Sequence, residues 1–157
     1  MYLWIDPGIR KLGYGLIDAD GKIIDAGVIL HNQQKPTRMD QFKRMEQIYN
    51  FFTKLLDDHT VQAVGIEKLY FTWRNQNNAE FVYGIRWALM MLFSQHDIMV
   101  KERTPQELKK YISGTGTASK ELMVSVITRL FNLQTAPKRH DTADALGLAR
   151  LVKNTIK

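Results

Sequence analysis

The chain has 157 residues, 45% hydrophobic and 24% charged, which is enough apolar material for one core, so we expect a single domain over residues 1–157. The absence of cysteine excludes disulfides, thiolate metal sites and cysteine nucleophiles. No apolar stretch is long enough to predict a membrane span, and the N-terminus lacks the basic and apolar regions of a signal peptide, so we expect a soluble cytoplasmic protein. The net charge of +6 is typical of proteins that meet phosphate backbones, although many basic proteins never bind nucleic acid.

The first third of the chain predicts an antiparallel meander followed by a helix. The strands are predicted at residues 2–5, Gly13–Asp18 and Lys22–Leu30. Asp20-Gly21 is a hairpin turn signal between the second and third strands. Apolar residues then recur at helical spacing from Thr37 to Leu56, and Thr37 itself is suited to cap this helix.

The rest of the chain alternates strands and helices. The elements are predicted as a strand at Val61–Ile66, a helix at Asn78–Ser94, a strand at residues 97–101, and helices at Pro105–Ile112, Ser119–Phe131 and Asp141–Ile156. This order predicts an α/β fold with a five-stranded mixed sheet, an antiparallel meander and then parallel strands, flanked by helices.

The helix at Asn78–Ser94 is apolar around nearly its whole circumference. A helix of this kind must be covered on more than one side. One side can take the sheet, and the other can take either a second subunit or later elements of the same chain.

Two acids interrupt apolar strands at equivalent points. Asp6 ends the first strand and Glu67 follows the fourth. Two hairpin reversals and a right-handed helical crossover make these two strands parallel, so their carboxyl ends share one edge of the sheet if the strands are neighbours. Open α/β sheets usually place their sites at that edge. Asp6 precedes Pro-Gly, however, and also suits an ordinary turn.

The last predicted helix carries two more acids. Its apolar stripe consists of Ala145, Leu148, Ala149, Val152 and Ile156. Asp141 falls within this stripe and Asp144 at its margin. Asp141 near a helix start can also be an N-cap, an explanation that does not extend to Asp144. A carboxylate facing a core is costly unless a cation accompanies it.

Carboxylates without cysteine indicate a hard cation, Mg²⁺ or Mn²⁺. Two such ions about 3.5–4 Å apart would hold the attacking and leaving oxygens of a phosphodiester, so the predicted reaction class is metal-assisted phosphodiester hydrolysis. His140 is a candidate proton acceptor or phosphate contact, or else a solvated loop residue.

Two loops have the composition of nucleic-acid contacts. Tyr70, Phe71, Trp73 and Arg74 follow Glu67 closely, and unpaired bases stack on such side chains, although aromatics also serve in cores and dimer interfaces. The stretch "SGTGTASK" can present backbone N–H groups and Lys120 to phosphate, or can simply connect two helices.

Four motifs taken together resemble the RuvC family of Holliday junction resolvases. They are "DPG" after the first strand, "IEKLYF" at the end of the fourth, "GTGTASK" before a helix and "HDTADALGLA" near the end. They follow one another in the family's order across nearly the whole chain. The resemblance implies a ribonuclease H-like fold and a Mg²⁺-dependent homodimer that nicks two opposed strands of a four-way DNA junction in recombination and repair, alongside the RuvA and RuvB branch-migration proteins.

The resemblance also implies roles for individual residues. The expected metal ligands are Asp6, Glu67, Asp141 and Asp144. Lys109 and Lys120 match lysines near the scissile phosphates, Lys120 being counted with the catalytic residues, and Tyr70 matches an aromatic that acts on bases at the junction centre. The expected DNA contacts are Lys68, Tyr70, Phe71, Arg74, Lys109, Lys120 and His140.

Other functions fit parts of the sequence. An actin-like or sugar-kinase ATPase also opens with a strand, an acid and a glycine turn, but that architecture needs two such domains. A noncatalytic DNA-binding module on the same fold, and a related nuclease that cuts RNA or other branched DNA, remain as alternatives.

Overall fold

A computed structural model describes residues 1–8, 10–31, 36–69, 76–135 and 140–155, and at 76–78, 140–144, 148 and 155 it describes the backbone alone. The strands are β1 (Tyr2–Asp6), β2 (Lys11–Ile17), β3 (Ile23–Leu30), β4 (Ala63–Glu67) and β5 (Met99–Arg103). The helices are α1 (Arg38–Asp58), α2 (Gln76–Gln95), α3 (Pro105–Ser113), α4 (Lys120–Leu130) and α5 (His140–Thr155). Every predicted strand and helix is therefore present, in the predicted order.

The strands form one mixed sheet in the order β3-β2-β1-β4-β5. β2 pairs antiparallel with both β1 and β3, whereas β4 pairs parallel with β1 and with β5. The predicted meander followed by parallel strands is confirmed, and the fourth strand does lie beside the first.

Helices cover both faces of the sheet. The alternation of side chains along β1 sends Leu3 and Ile5 into a core under α1 and α2, and sends Trp4 into a second core under α3, α4 and α5. All three side chains are fully buried. Residues of one strand therefore reach either helical layer according to whether their position is odd or even.

Trp4 fits because its neighbours on both sides are glycines. It pairs with Gly15 on β2 and with Gly65 on β4. A Cβ atom on Gly65 would lie 2.0 Å from Cε3 of Trp4, and one on Gly15 would lie 3.0 Å from the carbonyl of Ala145 in α5. The missing side chains thus let both the indole and helix α5 pack directly on the sheet.

The helix starts follow the expected capping chemistry. The Thr37 hydroxyl accepts a hydrogen bond from the backbone N–H of Asp40, as the prediction of a Thr37 cap requires, and Thr104 and Ser119 cap α3 and α4 in the same way. α3 ends at Ser113 and is capped by Gly114, whose φ of 79° is in the left-handed region.

The predicted position of β5 is wrong by two residues. Asp97 has a φ of 55°, and the N–H of Ile98 donates to the carbonyl of Phe93, so these residues complete the turn that leaves α2. The strand starts at Met99 and runs on to Arg103, directly before the Thr104 cap. A left-handed aspartate is rarely evident from sequence.

Helix α2 is buried on one side and exposed on another. Ile85, Leu89 and Leu92 are buried against the sheet, whereas Trp87 is 58% exposed and Met91 is 62% exposed. The neighbouring elements of the chain therefore leave part of this apolar helix uncovered. In the described part of the chain, none of the helices has the length and apolar character needed to cross a membrane.

Candidate active site

The carboxyl ends of β1 and β4 place two acids side by side. Ile5 pairs with Ile66 in parallel register, so Asp6 and Glu67 are the next residues of two neighbouring strands. Because Ile5 and Ile66 both point into the core under α1 and α2, the alternation of the strands turns both acids to the opposite face. Both acids are partly buried. Asp6 and Glu67 therefore lie side by side at the carboxyl ends of neighbouring strands, as the sequence predicts.

The two acids line a cleft of about 60 Å³ at this edge of the sheet. Its lining residues are Trp4, Asp6, Glu67, Arg103, Thr104, Pro105, Leu108 and Lys109. A site for one water needs only about 10–15 Å³, so the cleft has room for a small cation with several oxygen ligands. Carboxylate oxygens are the ligands that Mg²⁺ prefers, and the chemistry of this donor set fits such an ion.

The start of α3 forms one wall of the cleft. The backbone N–H of Thr104 donates to Oε2 of Glu107 at 2.7 Å, and the N–H of Glu107 donates to Oγ1 of Thr104 at 3.1 Å. This capping box fixes the first turn of α3, with Pro105 at its start. Leu108 and Lys109, in the next turn, reach the cleft as a consequence.

Arg103 is a member of the cleft that the sequence prediction missed. It pairs with Glu67 across β4 and β5, and the Lys68 N–H donates to its carbonyl at 2.8 Å. The predicted strand ended two residues too early to bring it to the edge. The signal that could have found it is the Thr104-Pro105 helix start, since a strand that runs up to that cap ends at Arg103.

The turn after Asp6 is held from the other side of the sheet. Arg44 of α1 is 4% exposed, and its Nη2 donates to the carbonyl of Gly8 at 3.2 Å. A Cβ atom on Gly8 would lie 2.1 Å from the carbonyl oxygen of Lys11, so a side chain has no room there. Burial lowers the pKa of Arg44 to about 10, and the guanidinium stays charged near neutral pH.

For the two acids of α5, Asp141 and Asp144, the structure describes the backbone alone. α5 starts at His140, so Asp141 lies within the helix, and the N-cap interpretation of Asp141 is wrong, as is the loop position of His140. Asp144 directly precedes Ala145, which packs against Gly15 of β2. The side chains of His140, Asp141 and Asp144 lie outside the described residues.

The remaining predicted site residues lie away from the cleft or outside the description. Lys68 and Lys120 are exposed, the first directly after Glu67 and the second at the start of α4, and neither lines the cleft. Tyr70, Phe71, Trp73 and Arg74 lie outside the described residues. Among the side chains that the structure does describe, no three of histidine, aspartate and glutamate come together as a metal site.

A mixed sheet of this order, covered by helices on both faces and with acids at the ends of two neighbouring strands, defines an α/β domain of the ribonuclease H-like class. The family model described as crossover junction endodeoxyribonuclease RuvC matches residues 2–151 of the chain. The chain belongs to this family, and the resemblance noted in its motifs is confirmed.

Individual relatives agree with the family match. The chain is similar to the crossover junction endodeoxyribonuclease RuvC of Alkaliphilus metalliredigens, with 35% identity over 94% of this chain and 88% of the relative. It is similar to the solved structure of Thermus thermophilus RuvC, with a TM-score of 0.78, 25% identity and coverage of 94% and 90%. T. thermophilus RuvC in complex with a Holliday junction substrate also has a TM-score of 0.78, at 22% identity over 95% of this chain and 90% of that one, and supports the same fold.

Proposed function

We propose that this chain is a structure-selective endonuclease that resolves Holliday junctions in DNA by metal-dependent phosphodiester hydrolysis, giving paired symmetric nicks. Residues 1–157 act as one nuclease domain. The observation that carries the proposal is the pairing of Asp6 and Glu67 beside Lys109 in one cleft, in a chain of the RuvC family.

The proposed metal ligands are Asp6 and Glu67, completed by Asp141 and Asp144 from the start of α5. Mg²⁺ is the proposed ion, with Mn²⁺ as a substitute and two ions in each site. When bound, the cation supplies Lewis acidity toward phosphoryl oxygens and helps to deprotonate an attacking water. The two described acids support this set because both line one small cleft.

The chain's own cations and aromatics position the DNA. Lys109 lies at the cleft and is suited to hold the phosphate that is cut. Lys120, a further proposed catalytic residue, and His140 start helices α4 and α5, where backbone N–H groups also favour anions. The remaining proposed DNA contacts are Lys68, Tyr70, Phe71 and Arg74, the aromatics by stacking on unpaired bases at the branch point.

A second copy of the chain is the proposed cover of helix α2. Trp87 and Met91 are exposed one turn apart on α2, and Met39 and Phe42 of α1 are exposed as well. The ring of Phe42 packs against Phe81 of α2 with centroids 5.9 Å apart, so the two helices present apolar side chains together. Exposed apolar groups of this extent favour a protein interface. A homodimer would place two sites on the two opposed strands of a junction.

Within the cell, the proposed setting is the cytoplasm, where the dimer acts alongside the RuvA and RuvB proteins. The support for these partners is membership of the RuvC family.

One gel tests the proposed function. A four-way junction, a plain duplex, a flap and an RNA–DNA hybrid are each incubated with the protein, with and without Mg²⁺, and Asp6→Asn is run in parallel. We expect paired nicks in the junction alone, only with Mg²⁺ and only with the parent protein. Junction binding without cleavage in any metal would indicate a noncatalytic module instead. Preferred cleavage of the hybrid or the flap would indicate a related nuclease of different substrate.

A further inference from the structure

Three parallel strands bring three charged residues into one row. Asp6 ends β1, Glu67 ends β4, and Arg103 ends β5 in direct register with Glu67. The residues of β1 and β4 that precede this row are uncharged; Trp4, for example, pairs with Gly65. The edge of the sheet thus has a cation next to two acids.

The alternation of β5 sets the face on which Arg103 emerges. Val100 packs against the core under α1 and α2, and Glu102 forms an ion pair with Arg86 of α2 on that same side. Arg103 therefore points to the opposite face, where it lines the cleft together with Asp6 and Glu67.

The backbone of Arg103 is held on both sides, whereas its guanidinium has donors to spare. Its carbonyl accepts from Lys68, and Thr104 follows as the cap of α3. Within the described part of the chain its Nη1 makes one hydrogen bond, to the carbonyl of Glu102 at 3.2 Å. A guanidinium carries five N–H donors, so most of them are available to a ligand in the cleft.

We propose that Arg103 binds the phosphate that is cleaved, its guanidinium donating to two of the phosphate oxygens. The inference rests on the proposed nuclease function. Two carboxylates repel a phosphodiester, and in the described cleft Arg103 and Lys109 offset the charges of Asp6 and Glu67. A lysine meets phosphate as a point charge, whereas the planar fork of an arginine fixes two oxygens and so orients the group.

The orientation matters most when charge develops on the phosphate oxygens during cleavage. Preorganised donors at such oxygens typically account for about 10²–10³-fold in rate. Arg103 is therefore expected to affect cleavage beyond its effect on binding. A residue that merely stabilised the end of β5 would change neither the salt dependence of binding nor the rate at saturation.

The test compares Arg103→Met, Arg103→Lys, Asp6→Asn and the charge-matched control Lys54→Met with the parent. Lys54 is exposed near the end of α1, at the far end of the sheet from the cleft. Binding to a labelled four-way junction is measured in EDTA over a range of salt concentrations, and single-turnover cleavage is measured with Mg²⁺ at saturating protein. Circular dichroism checks that each variant is folded.

We expect Arg103→Met to lower the slope of log affinity against log salt by about one unit and to slow cleavage by about 100-fold. Arg103→Lys should keep the slope but recover only part of the rate, and Lys54→Met should match the parent's rate. The inference is overturned if Arg103→Met binds and cleaves the junction as the parent does while Asp6→Asn is inactive. If Arg103→Met does not fold, the same result for Arg103→Lys overturns it. Cleavage that persists in Asp6→Asn would instead reject the proposed metal site.

Discussion

Trp4 on β1 and Gly65 on β4 are direct neighbours in the parallel pair, and the indole occupies the space that a side chain at residue 65 would need. The two residues lie two positions before Asp6 and Glu67 on the same face of the sheet. The indole also lines the cleft. The indole of Trp4 therefore forms an apolar part of the cleft wall directly before the two acids.

Gly65→Ala should destabilise the protein by about 1–3 kcal/mol, because the added Cβ would lie 2.0 Å from Trp4 and 2.2 Å from Val152. Urea unfolding followed by tryptophan fluorescence measures the change. Gly116→Ala is the control, since its Cβ would meet its nearest neighbour, the Gln106 carbonyl oxygen, at an ordinary 3.7 Å. Equal unfolding midpoints for the two variants would contradict the packing described for Trp4.

Glu67→Gln should abolish Mg²⁺-supported cleavage and leave junction binding intact, because an amide keeps the shape of the side chain but loses the charge that holds a divalent cation. Cleavage on gels and binding by fluorescence anisotropy are the two measurements. Glu46→Gln, an exposed change on α1, is the control and should cleave normally. A Glu67→Gln protein that cuts at the parent's rate would remove Glu67 from the metal site.

Arg44→Met should slow cleavage without loss of stability. Burial lowers the pKa of Arg44 to about 10, below that in the unfolded chain, so the buried charge costs stability in full at every pH below about 10. Methionine removes this cost but also removes the donor to the Gly8 carbonyl, which loosens the turn after Asp6. Urea unfolding and cleavage rates are measured for Arg44→Met and for Arg44→Lys, which keeps the charge. A parallel fall of stability and activity in Arg44→Met would show that Arg44 serves the core alone.

Glu107→Gln should make the stability of the protein less dependent on pH in the acidic range. The backbone N–H of Thr104, together with the nearby cations Arg103 and Lys68, holds the pKa of Glu107 below its usual value. A carboxylate of this kind contributes stability above its ordinary pKa of 4.5, and the contribution is lost as the pH falls through the lowered pKa of the folded state. The variant should melt at a lower temperature than the parent near neutral pH, and the difference should close as the pH falls below about 4. Thermal melts of both proteins between acidic and neutral pH measure this difference. A difference in melting temperature that does not change with pH would mean that the charge of Glu107 does not contribute to the helix cap.

Trp87→Glu should convert a dimer into a monomer, because a charge in the middle of an apolar interface is left without solvent. Sedimentation equilibrium at micromolar concentration measures the mass. Ile24→Glu, an exposed apolar position on β3, is the matched control and should leave the dimer intact. A parent protein that is monomeric under these conditions would refute the proposed homodimer.

The sequence was most informative about features that depend on strand direction alone. The side-by-side placement of Asp6 and Glu67 follows from two reversals and one crossover, which local patterns indicate well. Arg103 was missed because the left-handed turn at Asp97 shifts β5 by two residues. The contact of Arg44 with Gly8 was also not foreseen, since it joins residues far apart in the chain and depends on side-chain packing rather than on any local pattern.

The alternation of β1 and β4 also determines which genetic changes this edge of the sheet tolerates. Ile66 is buried under α1 and α2, and Glu67, one residue later, opens onto the other layer. Deleting a single residue within β4 would leave its composition almost unchanged but would turn the Glu67 carboxylate to the face of the sheet that packs against α1 and α2. Insertions and deletions in these short strands should therefore be more damaging than most substitutions there, whereas loops that lead into them can vary in length.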